Sequence, residues 1–182
     1  IEPKEQEMRA YFQKWAQELG LTFAGKSFEQ LLIKSGFQFS DIQKNLLFLQ
    51  AYKDNGVITE EDIVEAIPKT LQDNIFDLTQ LILTKKIDQA RDLVKDLTLQ
   101  GEDEIKLIAI MLGQFRLYTQ VKILQESGQT ESQMVSSLGH YLGRNPNPYQ
   151  IKFALRDSRR LSLDFLQNAI RYLIQADYQI KT

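Results

Sequence analysis

Residues 101–128 read GEDEIKLIAIMLGQFRLYTQVKILQESG. Ile105, Ile108, Leu112, Phe115, Val121 and Leu124 recur at helical intervals, Gly101 and Gly128 bracket the run, and no proline interrupts it. The acidic start, Glu102, Asp103 and Glu104, suits the positive end of a helix dipole. At 1.5 Å per residue the helix predicted over 102–126 spans about 37 Å, enough to be the spine of a domain.

The same periodicity continues on both sides. Downstream, Thr130 with Gln133 forms a capping box that opens a short helix to about Leu138. Gly143, Pro146 and Pro148 then punctuate a loop, a helix is expected over 149–160, and Ser162 caps a last helix to about Ile180. Upstream, apolar stripes predict helices over 74–84 (Ile75, Phe76, Leu78, Leu81, Ile82) and 87–99 (Ile87, Ala90, Leu93, Val94, Leu97). The polar stretch Thr70–Asn74 after Pro68 marks a module boundary.

Ahead of it, Met8, Tyr11, Phe12, Trp15 and Leu19 predict a helix over 3–19 stopped by Gly20. A short helix starting after Ser27 and ending near Gly36 is expected to bury Phe28, Leu31 and Leu32. Ser40 with Gln43 reads as a capping box opening a helix over 41–53. Val57-Ile58 makes a brief extended contact, and Thr59 caps a helix that Pro68 ends. Strand signals are nearly absent, so the fold class is all-α, with modules at 1–69 and 70–182.

Composition narrows the chemistry. The 182 residues carry 22 basic and 24 acidic side chains, one histidine and no cysteine, and are 43% hydrophobic, as a packed core requires. Without cysteine there is no thiolate metal site, disulfide or cysteine nucleophile, and the lone His140 cannot form a paired-histidine acid/base system. No phosphate-binding glycine loop, Ser/His/Asp set or ligand-spaced cluster is found, so neither catalysis nor a cofactor is expected. Glu60, Glu61 and Asp62 read as first-turn acids of a helix, and His140 as a residue of a turn.

No run approaches the roughly 18 apolar residues of a membrane span, and the start, Ile-Glu-Pro-Lys-Glu-Gln-Glu, is no signal peptide, which predicts a soluble, cytoplasmic chain with no membrane partner. A chain opening at Ile1 without Met reads as a piece of a longer one.

The near-neutral total of −2 averages two unequal ends. Residues 1–67 hold 7 basic and 11 acidic groups, whereas residues 141–182 hold 7 basic and 3 acidic groups. Lys152, Arg156, Arg159 and Arg160, at offsets 0, 4, 7 and 8, share roughly one face of the helix expected over 149–160 and form a candidate surface for phosphates or an acidic partner. A solvated face partly neutralised by Asp157 is the competing reading. Residues 130–155 also have the rhythm of a helix-turn-helix, although the turn from Gly139 to Pro148 exceeds the usual three or four residues. The last helix, with Leu163, Leu166, Ala169, Ile170, Leu173, Ile174 and Tyr178, is apolar on more than one stripe, as expected for burial against its own module and a neighbouring subunit.

Four segments carry a resemblance: Gln100-Gly101-Glu102, Gln114-Phe115-Arg116-Leu117, Asn147-Pro148-Tyr149-Gln150-Ile151-Lys152 and Ala176-Asp177-Tyr178-Gln179-Ile180-Lys181-Thr182. In this order, over about 72–182, the chain resembles the C-terminal part of the bacterial DNA polymerase III delta subunits, and 1–67 resembles their small helical lid. The resemblance implies a lid followed by a helical-bundle collar that packs with other clamp-loader subunits. The AAA+-like domain that opens the sliding clamp would lie upstream, and primer-template DNA is a further partner within the assembly. It implies no catalysis in this fragment, which would belong to a DNA-directed DNA polymerase holoenzyme and pass motion mechanically between subunits. Leu166, Ile170 and Leu173 are then expected subunit-packing anchors, and Lys152, Arg156, Arg159 and Arg160 a partner-facing or DNA-facing stripe. The alternative is a free-standing helix-turn-helix DNA-binding protein or helical adaptor.

Overall fold

The computed structural model describes residues 5–142 and 148–182 as ten helices and a single pair of two-residue strands. By internal contacts the chain divides into Ile1–Thr70 and Leu71–Thr182.

In the first unit the order is α1 (Glu5–Glu18), β1 (Thr22–Phe23), α2 (Ser27–Lys34), α3 (Phe39–Tyr52), β2 (Val57–Ile58) and α4 (Glu60–Ala66). The core gathers Phe12, Leu31, Leu32, Ile42, Leu46, Leu49, Ile58 and Ile63, all fully buried. Burying side chains of this size contributes roughly 1.5–3 kcal/mol each. Tyr11, read from spacing as part of the stripe of α1, is exposed instead, and Ala16 is buried. The Tyr11 ring rests against Phe39 at 5.4 Å while Phe12 takes the interior place.

Val57-Ile58 is extended as expected, but its partner, Thr22–Phe23, is visible only in the structure; the pair is parallel, Thr22 opposite Val57 and Phe23 opposite Ile58. Gly56 makes this possible. Its φ is +67°, and a Cβ there would stand 2.2 Å from the carbonyl oxygen of Gly20.

The expected capping box at Ser40 is absent. α3 begins at Phe39 with Gln38 as its N-cap and no side-chain cap. The left-handed Phe37 (φ 56°) turns the chain early, and Phe39 packs on Phe12 at 4.7 Å, so aromatic contact sets the start. Thr59 caps α4 as its spacing predicts: its hydroxyl accepts from Asp62 N, and the Asp62 carboxylate accepts from Thr59 N.

The second unit comprises α5 (Leu71–Leu83), α6 (Ile87–Leu99), α7 (Glu104–Glu126), α8 (Glu131–Leu142), α9 (Pro148–Ser158) and α10 (Leu163–Lys181). α5 starts three residues before the expected position, because Leu71 packs on the core. Asp103, read as a dipole-stabilising acid, is also the N-cap of α7, its Oδ1 accepting from Ile105 N and Lys106 N. The Thr130–Gln133 capping box forms. The expected loop at Gly143 and Pro146 lies outside the described residues.

α7 is the hub, contacting α5, α8, α9 and α10. Its length and mean hydropathy alone would suffice to cross a bilayer, yet its buried residues face the other helices of this unit. Those residues are Leu107, Met111, Gln114, Phe115, Tyr118 and Val121. Ile105, Ile108, Leu112 and Leu124, named from the spacing, are only partly buried. The apolar residues of α7 are spread around its whole circumference, so its sequence marks no unique face and its neighbours choose it.

Candidate interaction surface

Within the second unit the basic stripe begins on α9. Ile151, Ala154 and Leu155 turn inward, which leaves Lys152 and Arg156 exposed. α9 ends at Ser158, so Arg159 and Arg160 lie just beyond the helix rather than on it. Arg159 keeps a stretched helical bond to Leu155 O at 3.4 Å and therefore stays in line with Lys152 and Arg156, whereas Arg160 bonds back to Asp157 O at 3.3 Å in the following turn. Lys152, Phe153, Leu155, Arg156 and Arg159, with Glu131 from the start of α8, line a cleft of about 340 Å³; Arg160 is not among its lining residues.

Asp157 neutralises one member of this stripe, Arg156, and does so from the buried side. It is buried, its Oδ1 accepting from Arg156 Nε at 2.9 Å and its Oδ2 from Gln80 Nε2 at 2.7 Å and the Tyr118 hydroxyl at 3.1 Å. The chain of bonds continues inward. Gln114 Nε2 donates to the Tyr118 hydroxyl at 2.8 Å, and the Thr79 hydroxyl lies 2.8 Å from Ile75 O and 3.2 Å from Gln114 Oε1, two acceptors for one proton. Burial, reinforced by the Asp157 carboxylate, holds the Tyr118 phenol far above its ordinary value.

Reading the sequence missed this network. Gln114 and Tyr118, four apart in an apolar helix, were the available signal; their partner Asp157 is 39 residues beyond Tyr118. The network fixes Arg156, whose guanidinium also lies over the Phe153 ring at 5.1 Å.

The other sequence-based candidates fall elsewhere. Leu166 is fully buried in its own unit, and Ile170 and Leu173 pack partly buried on the same core. Leu166 thus offers no surface to a neighbour. The exposed apolar residues of α10 are Phe165, Tyr172, Ile174, Tyr178 and Ile180. His140, expected in a turn, lies exposed in the last turn of α8, because that helix runs on to Leu142. Gly139 to Leu142, expected in a turn, are thus helical, and residues 143–147 lie outside the described ones. No group of three or more potential metal ligands occurs among the described residues.

The family described as DNA polymerase III delta subunit, C-terminal domain, matches residues 72–182, more than half of the sequence. The chain belongs to this family. Among delta subunits, the DNA polymerase III subunit delta of Bacillus subtilis (strain 168) is 32% identical over 144 residues, which are 79% of this chain and 39% of that protein. A solved structure described as Bacillus subtilis DNA clamp loader delta protein superposes with a TM-score of 0.83 at 27% identity, covering 100% of this chain and 52% of that one. The chain thus spans about two-fifths of its curated delta relative and about half of the solved delta structure.

Proposed function

We propose that the chain is the lid and collar part of a clamp-loader delta subunit, residues 1–69 forming the lid and 70–182 the collar. The observation that carries this reading is the superposition over the whole chain on a clamp loader delta protein. The collar would pack with other clamp-loader subunits, and the domain that opens the sliding clamp would lie outside these residues. The role is mechanical and the setting the bacterial cytoplasm: rearrangement of adjacent subunits passes through a rigid α7 hub, with no catalysis in this part. Leu166, Ile170 and Leu173 then act by seating α10 on α7, and a neighbouring subunit meets the exposed Phe165, Tyr172, Ile174 and Tyr178.

The test is assembly. The full-length subunit should co-purify with the other clamp-loader subunits, and Tyr172→Glu with Tyr178→Glu should abolish this while leaving the circular dichroism melt unchanged. A wild-type protein that never co-purifies, yet shifts duplex DNA alone, would favour the helix-turn-helix alternative.

A further inference from the structure

We propose that Asn55, in the turn before β2, is a site of spontaneous deamidation whose isoaspartyl product unseats the strand pair of the first unit. Asn55-Gly56 is the single Asn-Gly step in the sequence. The reaction requires the backbone nitrogen of residue 56 to close a five-membered ring on the Asn55 side-chain carbon, and glycine has no Cβ to obstruct it. Asn55 is exposed in a turn, so solvent base and water reach it. Its Oδ1 accepts from Val57 N at 3.0 Å. That donor polarises the amide carbonyl and steadies the negative charge that builds on Oδ1 during attack. Gly56 N donates to Lys53 O at 3.1 Å, a bond of one exposed turn that opens locally without unfolding the core.

The other asparagines lack this combination. Asn45, Asn74 and Asn168 lie within α3, α5 and α10, where the repeating backbone and its hydrogen bonds hold the following nitrogen in place, and the residues that follow are Leu46, Ile75 and Ala169. Asn145 and Asn147 precede prolines, whose nitrogens have no proton to lose.

In the first step hydroxide removes the Gly56 N–H proton, the nitrogen's electron pair forms a bond to Asn55 Cγ, and the Cγ–Nδ2 bond breaks. Nδ2 takes a proton from water and leaves as ammonia, which returns the hydroxide. Water then opens the cyclic imide. Attack at Cγ gives aspartate, whose carboxylate can accept from Val57 N as the amide did. Attack at the Asn55 main-chain carbonyl gives an isoaspartyl link, in which the chain runs through Cβ and Cγ and is one carbon longer. There is no room for that carbon beside Gly56, where even a Cβ would stand 2.2 Å from Gly20 O and where Gly56 O accepts from Thr22 N at 2.7 Å. The close approach that demands glycine at 56 is therefore also what makes Asn55 labile and its isoaspartyl product damaging.

Ageing the 182-residue chain at mildly alkaline pH, with peptide mass spectrometry and amide exchange, tests the site. The peptide holding Asn55 should become about 1 Da heavier, faster as pH rises, and ahead of those holding Asn45, Asn74 and Asn168. The fraction that an isoaspartyl methyltransferase labels should lose amide protection at Thr22 and Ala24, which donate to Gly56 O and Ile58 O. Asn55→Asp, which carries the aspartate product alone, should keep that protection, and Asn55→Ser should keep both its mass and its protection on ageing. No mass gain at Asn55, an equal gain at the helical asparagines, full protection of Thr22 in the isoaspartyl fraction, or its loss in fresh Asn55→Asp would each overturn the proposal.

Discussion

The two units place their polar bonds in opposite ways. In the first, the core is apolar apart from two small serines, Ser27 and Ser35, and the charged bonds sit around it. Arg9 forks onto Glu29, Lys53 pairs with Asp62, and Lys34 Nζ donates to the carbonyls of Ile63 and Ile67 at the end of α4. Glu60 accepts from Lys26 N and Gln30 Nε2. In the second unit a carboxylate, a phenol, an amide and a hydroxyl are buried together beneath α9. A rim of caps tolerates the loss of a member because water replaces it. A buried network does not, since each orphaned group keeps its desolvation cost.

The largest effect expected is not electrostatic. Phe12→Ala should cost the first unit about 4 kcal/mol by chemical denaturation, as a large cavity in an apolar core does. A cost under 1 kcal/mol would mean that this core is not close-packed. Next comes Asp157→Leu in the second unit, about 3 kcal/mol, because Tyr118 and Gln80 lose their acceptor. Tyr118→Phe alone should cost about 1.5 kcal/mol, and the double variant less than the sum, the mark of a shared network. Strict additivity would dissolve the contrast between network and rim. Thr59→Ala, which removes one cap from the first unit, should cost only about 1 kcal/mol.

The smallest difference is in pH dependence, and it has opposite signs. The Lys53 ammonium and the Thr59 backbone N–H hold the Asp62 carboxyl below its ordinary value. On acidification the unfolded chain therefore takes up that proton first. Its contribution is complete above the ordinary carboxylate range and is lost as pH falls through and below it. For Tyr118 the folded pKa is raised above the ordinary 10.0, so the unfolded chain releases its proton first on alkalinisation. That contribution is complete below pH 10.0 and is lost as pH rises above it. Amide exchange followed across pH should show Asp62→Asn flattening the acid limb of 5–70 and Tyr118→Phe the alkaline limb of 71–182. Either variant moving the other limb would contradict the assignment.

Local signals were legible where local physics decides. Thr59, Thr130 and Ser162 were each readable as caps because a hydroxyl reaches an N–H only three residues away. The capping box at Ser40 misled because Phe39 had a competing contact on Phe12, 27 residues earlier and invisible in the local pattern. The basic stripe was legible as spacing, but two things were not: where α9 stops, which takes Arg160 out of the cleft, and the partners Tyr118 and Gln80 that hold Asp157 inward.

By itself the sequence determined the helices, most of their caps, the absence of cysteine chemistry and the resemblance to the delta family, since these depend on residue type and on neighbours within about one turn. The tertiary structure alone decided which face of α7, whose apolar residues point all round, is buried, that Thr22–Phe23 meets Val57–Ile58, and that Leu166 belongs to its own core. It alone brought Gln80 to Asp157, 77 residues apart. Such pairings are selected by what else must be buried at the same place, a condition that no local pattern of residues contains.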